Sequence, residues 1–208
     1  MDLVRIRCNR ILSQEPIRAL ESRGFCDMAK KGKGSTKGTG KDEELMFTVV
    51  CFGASRVGIS SLVKRMAVDF ESECNWGLGM EFYEEKVQVD GKKVTLVMFE
   101  VGKEGSFEHI ANNIRKGRAG VMLVFDVTRR ETLDEIIGIE EHLKKYLRGI
   151  PTVLVANKVD LKKERVVGPI EGKKVAARLG AELIETSVVD RYNVDETFKL
   201  MAQLILKG

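Results

Sequence analysis

Cysteine and histidine are too scarce in this chain, and too scattered, to build a metal centre. Its 208 residues include four cysteines, Cys8, Cys26, Cys51 and Cys74, and two histidines, His109 and His142. No cysteine pair has the close spacing of a zinc-ligand set, so the expected state is reduced thiols in an intracellular protein. Long apolar runs are missing too: nothing approaches the ~20 residues needed to cross a bilayer. The last residues, Leu206-Lys207-Gly208, include no cysteine for prenylation. The expectation is a cytoplasmic protein, peripheral to membranes through its partners. Charge of one sign is also in short supply. Of the formal net charge of +4, residues 1–44 hold 10 Lys/Arg against 7 Asp/Glu, a net +3, which leaves +1 for the remainder. A broad nucleic-acid-binding surface is therefore not implied for the main body, and no nucleic-acid partner is expected.

Composition divides the chain in two. Residues 30–41 read KKGKGSTKGTGK, a stretch that buries nothing and repels itself, as a disordered linker does. Residues 1–44 are expected to be a disordered basic extension, with one folded domain over 45–208. Arg5, Arg7, Arg10 and Arg18 suggest an import sequence, but Asp2, Glu15 and Glu21 run against it, because such sequences are poor in acids. Met28 offers an alternative start. The Lys-rich segment is open to weak contact with acidic headgroups, beside the plainer reading of a solvated tail.

From residue 46 onward, strand-like runs occur at 46–52, 94–99, 121–127, 152–157 and 181–186. An alternating stretch precedes the second run, and Asp90-Gly91 between them reads as a hairpin turn. Thr132 with Glu135 predicts a capping box opening one helix to about Leu147. Asn193 with Glu196 predicts the start of the last helix, and Gly180 the end of one beginning near Glu171. Strand and helix in alternation imply an α/β fold, a parallel sheet covered on both faces, with ligands at the carboxyl ends of the strands.

Between the first strand and a helix stands Gly53-Ala54-Ser55-Arg56-Val57-Gly58-Ile59-Ser60-Ser61. This is the glycine spacing of a phosphate loop, whose backbone N–H groups wrap an anion at a helix N-terminus. Ile59 stands where such loops carry lysine. Losing a desolvated charge partner costs ~2–5 kcal/mol, roughly 30- to 5,000-fold in affinity. Lys64 and Arg65 lie more than a turn further on, while Arg56 lies within the loop. At the end of the 152–157 run comes Asn157-Lys158-Val159-Asp160, and 185–206 reads ETSVVDRYNVDETFKLMAQLIL.

Over about 46–206 the chain resembles the Rab/Ras small GTPases. The resemblance implies a P-loop G domain with a mostly parallel six-stranded sheet, helices on both faces, and GTP/GDP as ligand. It places Asp160 on the guanine N1–H and amine, the Lys158 stem over the base, and Asn157 between loops. Ser187 and Val188 fall at the backbone contacts to guanine, in a loop reading Ser187-Val188-Val189, and Phe70 falls at an aromatic edge on the base. Other family positions are altered. Gly77 replaces the first-switch threonine, and Glu100 replaces the aspartate behind the metal. Lys103 stands at the γ-phosphate glycine, and Glu104 at the glutamine that orients water. Ser60 remains as a magnesium ligand, and one hydroxyl holds the ion poorly. Two functions follow as expectations. One is weak GTP/GDP binding with impaired hydrolysis, in a signalling or trafficking factor read by effector and regulatory proteins on the switch surface. The other is a nucleotide-free scaffold of the same fold.

Overall fold

The computed structural model describes residues 45–66, 82–100 and 118–208. The expectations for residues 1–44, and for Phe70, Gly77, Lys103 and Glu104, lie outside them. Six strands run β1 (Leu45–Gly53), β2 (Phe82–Val89), β3 (Lys92–Glu100), β4 (Ala119–Asp126), β5 (Thr152–Asn157) and β6 (Glu182–Thr186). They form one sheet in the order β2-β3-β1-β4-β5-β6. Every pair is parallel except β2 with β3. That exception is the expected hairpin: Asp90 (φ 50°) and Gly91 (φ 75°) both take the left-handed conformation its two-residue turn requires. The helices are α1 (Ile59–Met66), α2 (Arg130–Gly138), α3 (Glu140–Leu147), α4 (Pro169–Leu179) and α5 (Val194–Lys207).

Side chains alternate across a strand, and the sheet uses both faces. Phe47, Val49 and Cys51 of β1 point to one side with Met122, Val124, Val153 and Val155, under Leu62 of α1 and Phe198, Met201 and Ile205 of α5. Val50 and Phe52 point to the other with Val121, Leu123, Phe125 and Leu154, under Leu133, Ile136, Leu143 and Val175. Strands buried on both sides read as unbroken apolar runs, which is why β4 and β5 were plain in the sequence. Cys51 is a free, buried thiol; burial, with Glu100 nearby, pushes it up to about 12, so it stays protonated and inert.

The expected capping side chains play other roles, and one expected helix is two. Thr132 caps nothing. The helix begins at Arg130 behind Arg129, with no side-chain cap bond. The buried Thr132 hydroxyl instead accepts from the Asp126 N–H (3.0 Å) and donates to the Arg129 carbonyl (2.7 Å), pinning the turn after β4. The expected single helix is also two. It breaks at Gly138–Ile139, the least helix-favouring pair in the run. The break turns Leu143 into the core and aims Glu140 at Lys144 and at Arg178 of α4. The last helix starts where expected, but Asn193 (φ 54°) donates its amide to the Glu185 carbonyl rather than capping α5. Gly180 ends α4 as expected.

On β4, Gly120 lets α5 approach closely. A Cβ there would sit 2.4 Å from Met201 Sδ and 3.0 Å from Ile205 Cδ1. Gly120→Ala should therefore lower stability by ~1–3 kcal/mol through overpacking. In urea melts, Gly120→Ala combined with Met201→Ala should lose less than the sum of the single losses, by ~0.5–3 kcal/mol. Simple additivity would mean that Gly120 is not a contact point.

Candidate functional site

The phosphate loop follows β1 directly. Three consecutive carbonyls of the loop are each held by a side chain from another strand end. Ser55 O accepts from Arg129 Nη2 (2.8 Å), Arg56 O from Lys158 Nζ (3.0 Å) and Val57 O from Asn157 Nδ2 (2.8 Å). In a trans peptide the carbonyl and the following N–H point opposite ways. Fixing these oxygens toward β4 and β5 therefore turns the Arg56 and Gly58 N–H groups the other way, toward the open side at the start of α1. That is the polarity an anion needs. Arg56 (φ 65°) and Gly58 (φ 97°) supply the left-handed turns. A Cβ on Gly58 would lie 2.6 Å from Asn157 Nδ2, and one on Gly53 2.4 Å from the Val124 carbonyl, so Gly58 is dictated by the Asn157 amide and Gly53 by the backbone of β4.

Asn157 is the joint of this end. Its amide donates to the loop while its oxygen accepts from the Thr186 hydroxyl (3.1 Å) at the end of β6. The Val159 N–H donates to the Thr186 carbonyl (3.1 Å), which ties the Asn157–Asp160 turn to β6. Ser187 is fully buried and bridges to Tyr192 through both backbone groups, while its hydroxyl accepts from the Asp190 N–H (3.0 Å). Val188 packs against the core, whereas Val189 is 76% exposed.

Beneath the loop lies Asp126, a residue the sequence reading passed over. It is 1% exposed and sits at the end of β4. Lys158 Nζ lies 2.6 Å and Arg129 Nε 3.1 Å from its Oδ2; its Oδ1 accepts from the Thr128 N–H (2.9 Å) and hydroxyl (2.7 Å). The same two cations reach on to the loop carbonyls, so one carboxylate positions two of the three clamps. A carboxylate closing a strand run, with Thr and Arg just after it, was the only available signal.

Asp160 is different. Its Oδ1 is, among the described residues, the one buried side-chain polar atom with no hydrogen-bond partner. Such an atom carries a desolvation cost of ~1–3 kcal/mol until a donor meets it. Ile59 does not face the loop's open side. It is 3% exposed and lies in the core, its Cδ1 3.2 Å from where a Cβ on Gly53 would be. The Arg56 side chain is exposed, and Lys64 lies 6.0 Å from the Tyr83 ring centre. The exposed Ser60 hydroxyl donates to Glu100 Oε2 (3.2 Å). No group of three potential metal ligands occurs among the described residues.

Comparison with known proteins supplies the family. The model of the Ras family matches residues 48–207. The chain belongs to the Ras family. Among its relatives, Ras-related protein RABA5a of Arabidopsis thaliana is 32% identical over 167 residues, 79% of this chain and 76% of the relative. Ras-related protein RABA5b of the same plant is 30% identical over 170 residues, 81% and 78%. Ras-related protein Rab-12 of Mus musculus is 31% identical over 162 residues, 76% and 67%. The sheet is accordingly that of a Ras-like G domain, and GTP/GDP binding is what membership in this Ras family implies. No helix among the described residues is long and apolar enough to cross a membrane.

Burial alone would raise the Asp126 carboxyl, but hydrogen bonds from Lys158, Thr128 and Arg129 outweigh it and hold the group below its ordinary value. Its stabilisation is therefore present above the unfolded-state value and lost as pH falls through the lower folded-state one. Asp126→Asn should cost ~1.5–3 kcal/mol at neutral pH. The gap to the unaltered protein should close below about pH 4, as followed by urea melts across pH. A pH-independent gap would contradict the charge assignment.

Proposed function

We propose that this chain binds guanine nucleotide mainly by its base, grips the outer phosphates weakly, and hydrolyses GTP slowly. The buried, unpartnered Asp160 oxygen carries this reading. Guanine presents two adjacent donors, N1–H and the exocyclic amine, which suit a carboxylate; adenine has no such pair. Asn157, Lys158, Ser187 and Val188 frame the same end, with Phe70 as the proposed aromatic edge. Residues 53–61 would receive the phosphates through backbone N–H groups.

Weakness at the phosphate end follows from what the loop carries. Ile59 brings no positive charge, and its side chain is packed inward. Of magnesium ligands, the described residues contribute the Ser60 hydroxyl, with Glu100 behind it, so the metal is proposed to add little. Gly77, Lys103 and Glu104 remove a hydroxyl, a backbone approach and a water-orienting amide from the family pattern, which supports slow turnover. A protein of this kind would act in the cytoplasm through effectors and regulators that dock on the switch surface.

Titration of the purified chain with fluorescent GDP, with and without magnesium, tests the proposal. Saturable binding that changes little with magnesium is expected, and Asp160→Ala should weaken it by ~2–5 kcal/mol. Absence of saturation at high micromolar nucleotide would favour the nucleotide-free scaffold. Ile59→Lys should tighten GDP by at least about tenfold, since it restores one partner of a charge pair. The same change should lower the stability of the free protein by ~1–3 kcal/mol, because an apolar core position is lost. A flat GDP response would show that the loop does not receive phosphate.

A further inference from the structure

The positive charge missing at Ile59 has a counterpart behind the phosphate loop. Lys158 and Arg129 share one carboxylate, with Lys158 Nζ 2.6 Å and Arg129 Nε 3.1 Å from Asp126 Oδ2. Neither cation has a second acidic partner among the described residues. Asp160, the other acid of this end, pairs with neither of them. Two cations against one carboxylate leave a positive excess beneath the loop.

Arg129 is held at backbone and side chain alike. Its N–H donates to the Asp126 carbonyl (3.0 Å), and its own carbonyl accepts from the Thr132 N–H (3.1 Å) and hydroxyl (2.7 Å). The guanidinium then spans from the Asp126 carboxylate to the Ser55 carbonyl, which accepts from Nη2 at 2.8 Å. The side chain is 33% exposed, so solvent screens its charge only in part. Arg56 is the loop's other cation, but its side chain is exposed and no ion pair among the described residues fixes it.

The Ser55 carbonyl and the Arg56 N–H are the two ends of one peptide, so a cation on the first acts on whatever meets the second. An anion accepting that N–H would lie on the order of 9 Å from the guanidinium, across one peptide plane and two hydrogen bonds. The cation also polarises the peptide and makes its N–H a stronger donor. Attraction between unit charges over that distance corresponds to about twofold to twentyfold in affinity, from water-like to protein-surface surroundings.

We propose that Arg129 is the positioning residue that lets the loop distinguish a nucleotide from a nucleoside, supplying from behind the positive charge that Ile59 does not supply. This rests on guanine nucleotide being the ligand, and it names the side chain on which the phosphate share of the affinity depends.

Calorimetric titration of the full chain with guanosine and with GDP tests it, in the unaltered protein, R129Q and R129K. Glutamine keeps a donor for the Ser55 carbonyl and removes the charge, whereas lysine keeps the charge. R129Q is expected to weaken GDP by about twofold to twentyfold and to leave guanosine unchanged. R129K should recover most of the lost GDP affinity, and raised salt should narrow the gap between R129Q and the unaltered chain. Equal losses for guanosine and GDP would overturn the proposal, since they would mark Arg129 as a support of the fold alone. So would undiminished GDP binding by folded R129Q, or a GDP-specific loss in R56Q without one in R129Q, which would put the charge on Arg56. Binding of neither guanosine nor GDP by the unaltered chain would instead sink the nucleotide reading, and this inference with it. Should R129Q fail to fold, NMR of the isotope-labelled unaltered chain decides. The Arg129 Nε–H resonance should move with GDP and stay in place with guanosine, and equal shifts with both would overturn the assignment.

Discussion

A single carboxamide holds the working end of this molecule together. Asn157 closes β5, and from there its nitrogen reaches the Val57 carbonyl while its oxygen takes the Thr186 hydroxyl. Phosphate loop, β5 and β6 meet at one planar group that donates on one side and accepts on the other. No charged or purely apolar residue could serve both, since one partner offers a lone pair and the other a proton. Burial makes the geometry binding: Asn157 is 1% exposed, and a missed bond there would leave a polar atom unsolvated. Gly58 follows from the same constraint, because any side chain there would occupy the space of the Asn157 amide.

Asp126 extends this brace by electrostatics. Buried carboxylates are costly unless paired and hydrogen-bonded, and this one has two cations and two Thr128 donors. Its cations then serve twice, holding the loop carbonyls of Ser55 and Arg56 as well. The loop is thus positioned from below by charge and from beside by an amide. Asp160 stands just beyond with an acceptor unused.

Much of this was legible before any coordinates, for definite reasons. β4 and β5 are covered on both faces, so their apolar runs are unbroken, and the Asp90-Gly91 turn has few structural alternatives. The Gly53–Gly58 spacing was visible because close neighbours leave no room for a Cβ at either position, and Asn157 because one side chain there must both donate and accept. Thr132 misled because a threonine two residues inside a helix can bond backwards to a strand end as readily as it caps, and sequence does not say which. The helix break at Ile139 was hidden because a Gly-Ile pair is often tolerated inside a helix, and the packing of Leu143 that accompanies the break is tertiary. Asp126 was missed for a similar reason: beyond Thr128 and Arg129 just after it, its decisive partner Lys158 lies 32 positions away, and the local residues alone do not mark a strand-end carboxylate as the foot of a clamp.

Ile59 has one further consequence. A loop tethered by a residue sunk in the hydrophobic interior is already in shape when empty, so little conformational entropy remains to be lost when a ligand arrives. Were nucleotide held as proposed, this rigidity would offset part of the affinity that the absent ammonium does not supply.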